Sequence, residues 1–320
     1  MVKQPLAEVF GFPVNNFSPE AGSCGNAKPC PYNNKVLVKI VNVASVPHRS
    51  PFRYPGGKTW LVPYIRRWIG SQPHQPILEF FEPFAGGGIV SLTVASEKLA
   101  KHITMVELDE NVASVWQTIL NGQGAWLADR IVLFDVTETM VDFILDNEPP
   151  SLRERAFQTI LKNRVNHGGI MANGAGRLKY GENGKGMKSR WYPQTLKKRI
   201  LEIVEISEKI TFIQGDGFQV LRQNLENREA LFFIDPPYTV DGKKAGTRLY
   251  RHAEVNHHEL FELASQIHGD FLMTYDNAEG VKALANEHHF DTHVIAMKNT
   301  HNTNMTELLI GRNLDWARAM

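Results

Sequence analysis

The stretch that decides the fold is Ile77-Leu78-Glu79-Phe80-Phe81-Glu82-Pro83-Phe84-Ala85-Gly86-Gly87-Gly88. Its first five residues predict a buried strand, and the residues from Ile89 to about Lys98 predict a helix. A strand, a glycine turn and a helix form the first unit of an α/β sheet that binds nucleotides. Glycines allow close approach of a ligand, and a helix N-terminus offers N–H groups. The spacing is not the G-x-G-x-x-G pattern, so a pyrophosphate is not indicated.

A second strand is predicted at 103–107. In sheets of this kind an acid at the tip of the second strand binds ribose hydroxyls, which makes Glu107 and Asp109 candidates for ligand contacts. Asp109 and Glu110 also suit the start of the helix expected at 111–120, because acidic side chains stabilise a helix N-terminus. Both interpretations stay open.

The apolar run Leu231-Phe232-Phe233-Ile234 is followed directly by Asp235-Pro236-Pro237-Tyr238. The run predicts a buried parallel strand, and the prolines stop it because proline fixes its own backbone. The rigid segment directs a carboxylate, a carbonyl and an aromatic ring to one place. This set suits an exocyclic amino group, whose hydrogens bind the oxygens while its heterocycle stacks on the ring. A strand that merely ends in an acid and prolines is the plainer alternative.

A third motif is Phe52-Arg53-Tyr54-Pro55-Gly56-Gly57-Lys58-Thr59. Its ending is similar to a phosphate-binding loop, but that loop needs a glycine where Phe52 stands. An NTPase is therefore disfavoured. A rigid turn that carries one lysine and leads into an amphipathic stretch, 60–68, fits better and suits the charged end of a ligand.

These motifs, in this order, resemble the D12 class (Dam-like) of DNA adenine-N6 methyltransferases. The resemblance spans roughly residues 50–313. It also rests on the acids of Val106 to Asn111 (VELDEN), on Gly215-Asp216-Gly217-Phe218, on Phe271-Leu272-Met273-Thr274-Tyr275 and on Asn304 to Asn313 (NMTELLIGRN). One departure is the extra glycine after Asp216, where the family has Gly-Asp-Phe.

The resemblance implies an α/β fold: a Rossmann-like methyltransferase sheet, mostly parallel with a C-terminal antiparallel hairpin, and a mainly helical target-recognition insert. It implies that S-adenosyl-L-methionine is the cofactor and that a flipped adenine in double-stranded DNA is methylated at a specific site. The implied catalytic residues are Asp235, Pro236, Pro237 and Tyr238. The implied cofactor-binding residues are Tyr54, Lys58, Glu82, Pro83, Phe84, Ala85, Gly86, Gly87, Gly88, Glu107, Asp109, Asp216, Gly217, Phe218 and Asp235.

Individual roles follow from the same resemblance. Glu107 would hold the ribose of the cofactor, and Asp216 would contact its adenine amino group. Tyr54 and Lys58 would flank its methionine end. Asp235 and the Pro236 carbonyl would accept hydrogen bonds from the target amino group, and Tyr238 would stack on the flipped base.

The net charge of +1 conceals a basic segment, because residues 151–200 contain 12 Lys or Arg and two acids, a net charge of +10. This concentration of positive charge favours a polyanion partner, although a charged surface that only contacts solvent is the common alternative. The segment lacks the Phe-Asn tract usual in the family, so no DNA sequence is predicted. Trp191 and Tyr192 suit either DNA contact or the core. The predicted DNA-binding residues are Arg164, Asn166, Arg177, Lys179, Lys185, Lys188 and Arg190, with Lys243, Lys244 and Arg248 in a loop after the catalytic motif.

Three alternatives to this function are open. The same catalytic motif serves cytosine N4, RNA adenine or a glutamine side chain, although Asp235 favours adenine and the basic segment favours nucleic acid. A DNA-binding regulator without catalytic activity is the second alternative, and an NTPase is the third. The biological context, a restriction-modification system or an orphan or phage enzyme, is not predicted.

The predicted domains are an N-terminal extension at 1–49, a catalytic domain at 50–122 and 209–320, and the insert at 123–208. Further strands are expected at 210–214 and 271–275. A hairpin is expected from 292–298 and 306–311, with its turn around residues 299–302. A helix is expected at 257–268, begun by Asn256 and ended by Gly269.

Composition favours a soluble protein, because we find neither a signal peptide nor an apolar stretch that could span a membrane. Cys24 and Cys30 are too few for a disulfide framework and suit free thiols in the cytoplasm. Adjacent His257 and His258 would point to different helix faces, so no metal site is predicted. We expect a monomer or weak dimer, with double-stranded DNA and a cognate restriction endonuclease as candidate partners.

Overall fold

The computed structural model describes residues 46–53, 56–171, 175–181, 184–237, 255–298 and 304–320. Within these residues seven strands form one sheet, in the spatial order β3-β2-β1-β4-β5-β7-β6. The strands are β1 (Ile77–Glu82), β2 (Ala100–Glu107), β3 (Ile210–Gln214), β4 (Ala230–Ile234), β5 (Asp270–Asp276), β6 (Asp291–Lys298) and β7 (Asn304–Gly311).

The sheet is mostly parallel. Strand β1 pairs in parallel with β2 and β4, and the outer strands β3 and β5 continue this direction. Strand β7 pairs antiparallel with both β5 and β6. The predicted Rossmann-like methyltransferase fold with its C-terminal hairpin is therefore confirmed. The predicted turn of the hairpin lies outside the described residues, as does the whole of 1–45.

Helices connect the strands and cover both faces of the sheet. Asn256 caps the helix predicted at 257–268, since its side chain accepts a hydrogen bond from the Glu259 N–H. That helix ends at Gln266, not at Gly269 as predicted. The helices are α1 (Val62–Gly70), α2 (Ile89–Ser96), α3 (Glu110–Thr118), α4 (Gly124–Leu133), α5 (Glu138–Asp146), α6 (Leu152–Val165), α7 (Pro193–Glu205), α8 (Gly217–Asn224), α9 (His257–Gln266), α10 (Glu279–Glu287) and α11 (Asp315–Arg318).

Two apolar clusters form the core. Successive residues of a strand point to opposite faces, so Phe80 joins one cluster and Phe81 the other. Phe81 stacks on Phe232 of the neighbouring strand, with ring centroids 4.9 Å apart. Strands β1 and β4 are thus packed from both sides, which holds the segments that follow them in fixed positions.

Candidate active site

The topology brings the ends of β1 and β4 together. Chain connections run from β1 outward through β2 to β3, and then return to β4 on the other side of β1. Ligands of open α/β sheets bind outside the carboxyl ends of the strands, at this point of reversal. Glu82 is the last residue of β1, and Asp235 follows directly after β4. The two predicted motifs therefore meet at the site that the topology favours.

The Asp235 carboxylate is oriented by side chains from two other segments. The Thr274 hydroxyl of β5 donates a hydrogen bond of 2.7 Å to Oδ1 of Asp235. The Lys58 ammonium lies 3.1 Å from the same oxygen. Neither contact was predicted, although both residues belong to motifs that resemble the family. Because both donors come from packed elements, the carboxylate has a fixed direction.

Lys58 opens a short 3-10 helix, Lys58–Leu61, and its side chain is only 4% exposed. A buried ammonium is costly unless it is paired and hydrogen-bonded. Lys58 meets this requirement with Asp235, with the Gly56 carbonyl at 3.2 Å and with the Glu307 carboxylate at 3.5 Å. The sequence predicted Lys58 at the methionine end of the cofactor. The structure pairs it with the predicted catalytic carboxylate.

The glycine turn after β1 is held from both sides. The Gly86 N–H donates to Glu107 Oε2 at 2.9 Å, and the Trp116 indole N–H donates to the Gly86 carbonyl at 3.0 Å. Gly88 has φ +63°, and a Cβ there would lie 2.6 Å from the Met105 side chain. Glycine is strongly favoured at this position, since its backbone is left-handed and a Cβ would also lie 2.9 Å from the Trp116 ring. Sequence reasoning missed Trp116 because nothing in its local pattern marks it.

Glu107 and Asp109 bind backbone groups. Oε1 of Glu107 accepts a hydrogen bond from the Asp109 N–H at 2.8 Å. Asp109 caps α3 by accepting from the N–H groups of Asn111 and Val112. The helix-start interpretation of Asp109 is therefore observed, while its contact with a ligand stays a prediction. Burial, and then the nearby charge of Asp109, raises the pKa of Glu107 to about 7 against the opposing effect of the N–H donors.

Glu82 is a third carboxyl group at the strand ends, and it is 3% exposed. One of its oxygens accepts a hydrogen bond from the Ser91 N–H at 2.9 Å. Burial raises the pKa of Glu82 to about 8, and the negative charges of Asp235 and Glu107 contribute to the increase. Two carboxyl groups at the strand ends, Glu82 and Glu107, therefore have raised pKa values.

The Asp216 motif packs directly on the glycine motif. Asp216 caps α8, where its carboxylate accepts from the Phe218 N–H at 2.9 Å. A Cβ on Gly217 would lie 2.3 Å from the Pro83 carbonyl oxygen, so only glycine allows this approach. Phe218 contacts Phe84 edge to face, with centroids 5.9 Å apart. The extra glycine that departs from the family pattern thus has a packing role.

Some predicted site residues lie outside the described part of the chain. These are Tyr54 and Tyr238 of the catalytic and cofactor sets, and Lys243, Lys244 and Arg248 of the DNA set. Among the described residues, no group of three or more His, Cys, Asp or Glu side chains is arranged to hold a metal ion. His257 instead contacts the Tyr275 hydroxyl through Nδ1 at 3.0 Å.

The predicted DNA-binding residues divide into three groups. Arg164 and Asn166 are 4% and 3% exposed and hydrogen-bond the carbonyls of Pro51 and Ile170, so their burial favours a structural role. Arg177 and Lys188 are accessible but form ion pairs, Arg177 with Asp142 and Asp146 and Lys188 with Asp135. Arg190 is half-buried, whereas Lys179 and Lys185 are exposed. Contact with DNA stays a prediction, and the exposure of Lys179 and Lys185 makes these two its main candidates.

The acidic partners of these side chains come from one neighbouring stretch. Residues 123–150 contain six acids and one arginine, and Asp129 of this stretch also pairs with Lys197 at 2.7 Å. Over the whole predicted insert, 123–208, the net charge is +2. The net charge of +10 over 151–200 is therefore largely offset by the acids of 123–150 and 201–208.

Asn163 links the insert to the segment before Lys58. Its side-chain amide accepts from the Arg53 N–H at 2.8 Å and donates to the Arg53 and Gly169 carbonyls at 3.0 and 2.7 Å. Arg199 adds a hydrogen bond to the Ser50 carbonyl at 3.1 Å. The segment that leads to the active-site lysine is therefore anchored on α6 and α7 of the insert.

The family model of the D12 class N6 adenine-specific DNA methyltransferases matches residues 54–139. This match confirms the resemblance. The chain is a methyltransferase, and its cofactor is S-adenosyl-L-methionine, as the motifs implied. The matched residues include Lys58 and the glycine turn, whereas Asp235 lies beyond them. Roles of individual residues, and the DNA adenine target, are therefore proposals.

Solved structures similar to this methyltransferase share little sequence with it. The rRNA methyltransferase aviRa from Streptomyces viridochromogenes is 11% identical, with a TM-score of 0.37 over 83% of this chain and 89% of that one. The precorrin-6y C5,15-methyltransferase from Geobacter metallireducens GS-15 is 9% identical, with a TM-score of 0.33 over 78% and 86%. The fold assignment rests on the sheet topology and not on these likenesses. No curated protein matches the chain.

No helix among the described residues has both the length and the apolar character needed to cross a membrane.

Proposed function

We propose that the chain is a site-specific DNA adenine-N6 methyltransferase that acts on an adenine turned out of double-stranded DNA. The observation that carries this proposal is the Asp235 carboxylate at the reversal point of the sheet, oriented by Thr274 and Lys58. A carboxylate held in this way, beside a rigid Pro236 carbonyl, suits a planar amino group better than a hydroxyl or a thiol.

The residues act on the amino group as follows. The adenine amino nitrogen is a poor nucleophile because its lone pair is delocalised into the ring. Asp235 and the Pro236 carbonyl accept hydrogen bonds from its two N–H groups, which draws the nitrogen toward tetrahedral geometry and exposes the lone pair. The nitrogen becomes acidic only as it gains the methyl group, and it then releases one proton to Asp235. Such positioning and electrostatic stabilisation supply much of the rate of a transfer reaction. Tyr238 supplies an aromatic face for the extruded base, whose unstacking costs a few kcal/mol.

The strand ends also suit the cofactor. S-adenosyl-L-methionine supplies an electrophilic methyl group on a positively charged sulfur. Glu82 and Glu107 offer carboxyl groups whose pKa values are raised by burial and by neighbouring acids, Asp235 and Glu107 for Glu82 and Asp109 for Glu107, and a cation relieves that repulsion. The glycine turn, Gly86 to Gly88, leaves room for close approach of a ligand. Asp216 follows β3 at the same edge of the sheet. We assign the cofactor to this edge on these grounds.

We assign DNA recognition to the segment 123–208, and catalysis to 50–122 and 209–320. Lys179 and Lys185 are exposed, and Tyr180, next to Lys179, is 83% exposed. Basic side chains bind phosphates, and an exposed aromatic ring can contact bases. Because the insert carries a net charge of only +2, we expect sequence-independent DNA binding to be modest and strongly salt-dependent.

The test is transfer of a labelled methyl group from S-adenosyl-L-methionine to unmethylated DNA, with separation of the product nucleosides. N6-methyladenine supports the proposal, and sequencing of the modified DNA then identifies the target site, which a cognate restriction endonuclease would share. N4-methylcytosine would retain the fold and cofactor but replace the target base. Cofactor binding without transfer to DNA would contradict the proposal and favour an RNA substrate or a regulator without catalytic activity.

A further inference from the structure

We propose that Glu307 is a positioning residue that holds Lys58 against Asp235. The inference rests on the proposed function, since it concerns the same site. Glu307 lies on β7 opposite Asp276 of β5, and its neighbour on β6 is Ile295. Because β7 runs antiparallel, its early residues lie at the edge where the parallel strands end. The sheet thus brings the Glu307 carboxylate next to Lys58, which lies far from it in sequence.

The surroundings of Glu307 are unusual for a structural carboxylate. It is 4% exposed, and its Oε2 has no hydrogen-bond partner among the described residues. Buried carboxylates that serve packing are normally satisfied by several N–H donors. Here the Lys58 ammonium lies 3.5 Å from each oxygen of the carboxylate. The geometry therefore assigns Glu307 an electrostatic role toward Lys58.

Lys58 contacts acceptors from three parts of the chain. An ammonium has three donors, and the acceptors near that of Lys58 include the Gly56 carbonyl at 3.2 Å, Asp235 at 3.1 Å and Glu307 at 3.5 Å. Loss of the Glu307 charge removes one of these and leaves the lysine less constrained. Asp235 keeps the Thr274 hydroxyl at Oδ1, but the ammonium at the same oxygen is less constrained, so the carboxylate is less firmly oriented to accept a hydrogen bond from the substrate.

This arrangement makes the site sensitive to pH. Burial raises the pKa of Glu307 to about 7. The charged groups that face it are Lys58, which lowers the pKa, and Asp235 and Asp276, which raise it. Ionised Glu307 holds Lys58 and protonated Glu307 holds it weakly. Methyl transfer should therefore increase as pH rises through about 7.

The experiment compares wild type with Glu307→Gln, which keeps the shape of the side chain and removes its charge. We expect the single-turnover rate of methyl transfer at pH 8 to fall about tenfold, while KM for cofactor and DNA changes less than about twofold. The rise in rate through pH 7 should disappear in Glu307→Gln and persist in Glu307→Asp. Glu279→Gln, at a carboxylate with a side chain 90% exposed, is the matched control and should behave as wild type.

A second measurement does not depend on activity. Acylation of Lys58 by an amine-directed reagent, followed by peptide mass spectrometry, should be faster in Glu307→Gln than in wild type or Glu279→Gln. An unchanged labelling rate together with an unchanged pH profile would overturn the role of Glu307. If wild type itself transfers no methyl group to DNA, the proposed function fails, and the labelling rate alone then decides the inference.

Discussion

Two charged regions of this methyltransferase differ in how their charges are held. In the first, Lys58, Asp235 and Glu307 come from distant parts of the chain and meet in a mostly buried cluster. In the second, exposed basic residues of the insert pair with acids of the stretch 123–150, as Lys188 does with Asp135. Exposed pairs contribute little to stability, whereas loss of one partner from a buried cluster is costly. We therefore expect substitutions in the first region to affect both chemistry and folding, and those in the second to affect only binding.

The largest effect is expected at Asp235. Asp235→Asn keeps the side-chain shape but removes the charge and one acceptor, so the methyl-transfer rate should fall by a factor of about 100–1,000. Single-turnover transfer of labelled methyl groups to DNA measures this rate. Asp146→Asn, at a side chain 72% exposed, is the control and should remain active. Transfer near the wild-type rate in Asp235→Asn would show that the proposed mechanism is wrong.

The next prediction concerns stability of the buried cluster. Lys58→Met leaves Asp235 and Glu307 without their shared cation and should destabilise the fold by about 3–5 kcal/mol at pH 8. Adding Glu307→Gln should recover part of this loss, because one buried negative charge is then removed. Chemical denaturation of the two single variants and the double variant measures the coupling. Additive effects would indicate that the two side chains do not interact.

A smaller effect concerns cofactor affinity. The pKa of Glu82 is raised to about 8 and that of Glu107 to about 7, and a bound cation favours their ionised forms. Cofactor binding should therefore release protons, and its affinity should increase as pH rises from about 6 to 9. Calorimetry in buffers of different ionisation enthalpy measures the proton release. Glu82→Gln should reduce it, and an equal release in that variant would exclude Glu82 as the source.

The smallest effect is expected on the surface of the insert. Lys179→Ala combined with Lys185→Ala should weaken DNA binding several-fold and reduce the salt slope by about 1–2. Lys197→Ala is the control, since Lys197 is paired with Asp129 at 2.7 Å. Fluorescence anisotropy with labelled duplex DNA over a salt series measures both. If Lys197→Ala weakens DNA binding as much as the double variant does, the ion pairs of the insert open when DNA binds. The difference between the buried cluster and the surface pairs would then not hold.

Local sequence was sufficient for the elements of the sheet. The apolar run 231–234 identifies a buried strand, and the two prolines that follow it mark its end. Both signals come from residues that are close in sequence. The N-cap role of Asn256 was predicted for the same reason, since the capping bond spans three residues. Motif order then indicated the family, and the match over 54–139 agrees with it.

Contacts between distant residues were decided by the tertiary structure alone. No local pattern places Glu307 next to Lys58, because β7 reaches the strand ends only through its antiparallel pairing with β5. Likewise, the acids that offset the charge of 151–200 are visible in the flanking sequence, but the fold decides which of them pair with which basic side chains, as Asp129 does with Lys197. Sequence determined which groups this protein possesses. Folding decided which of them share a low-dielectric site, where interactions between charges are strong.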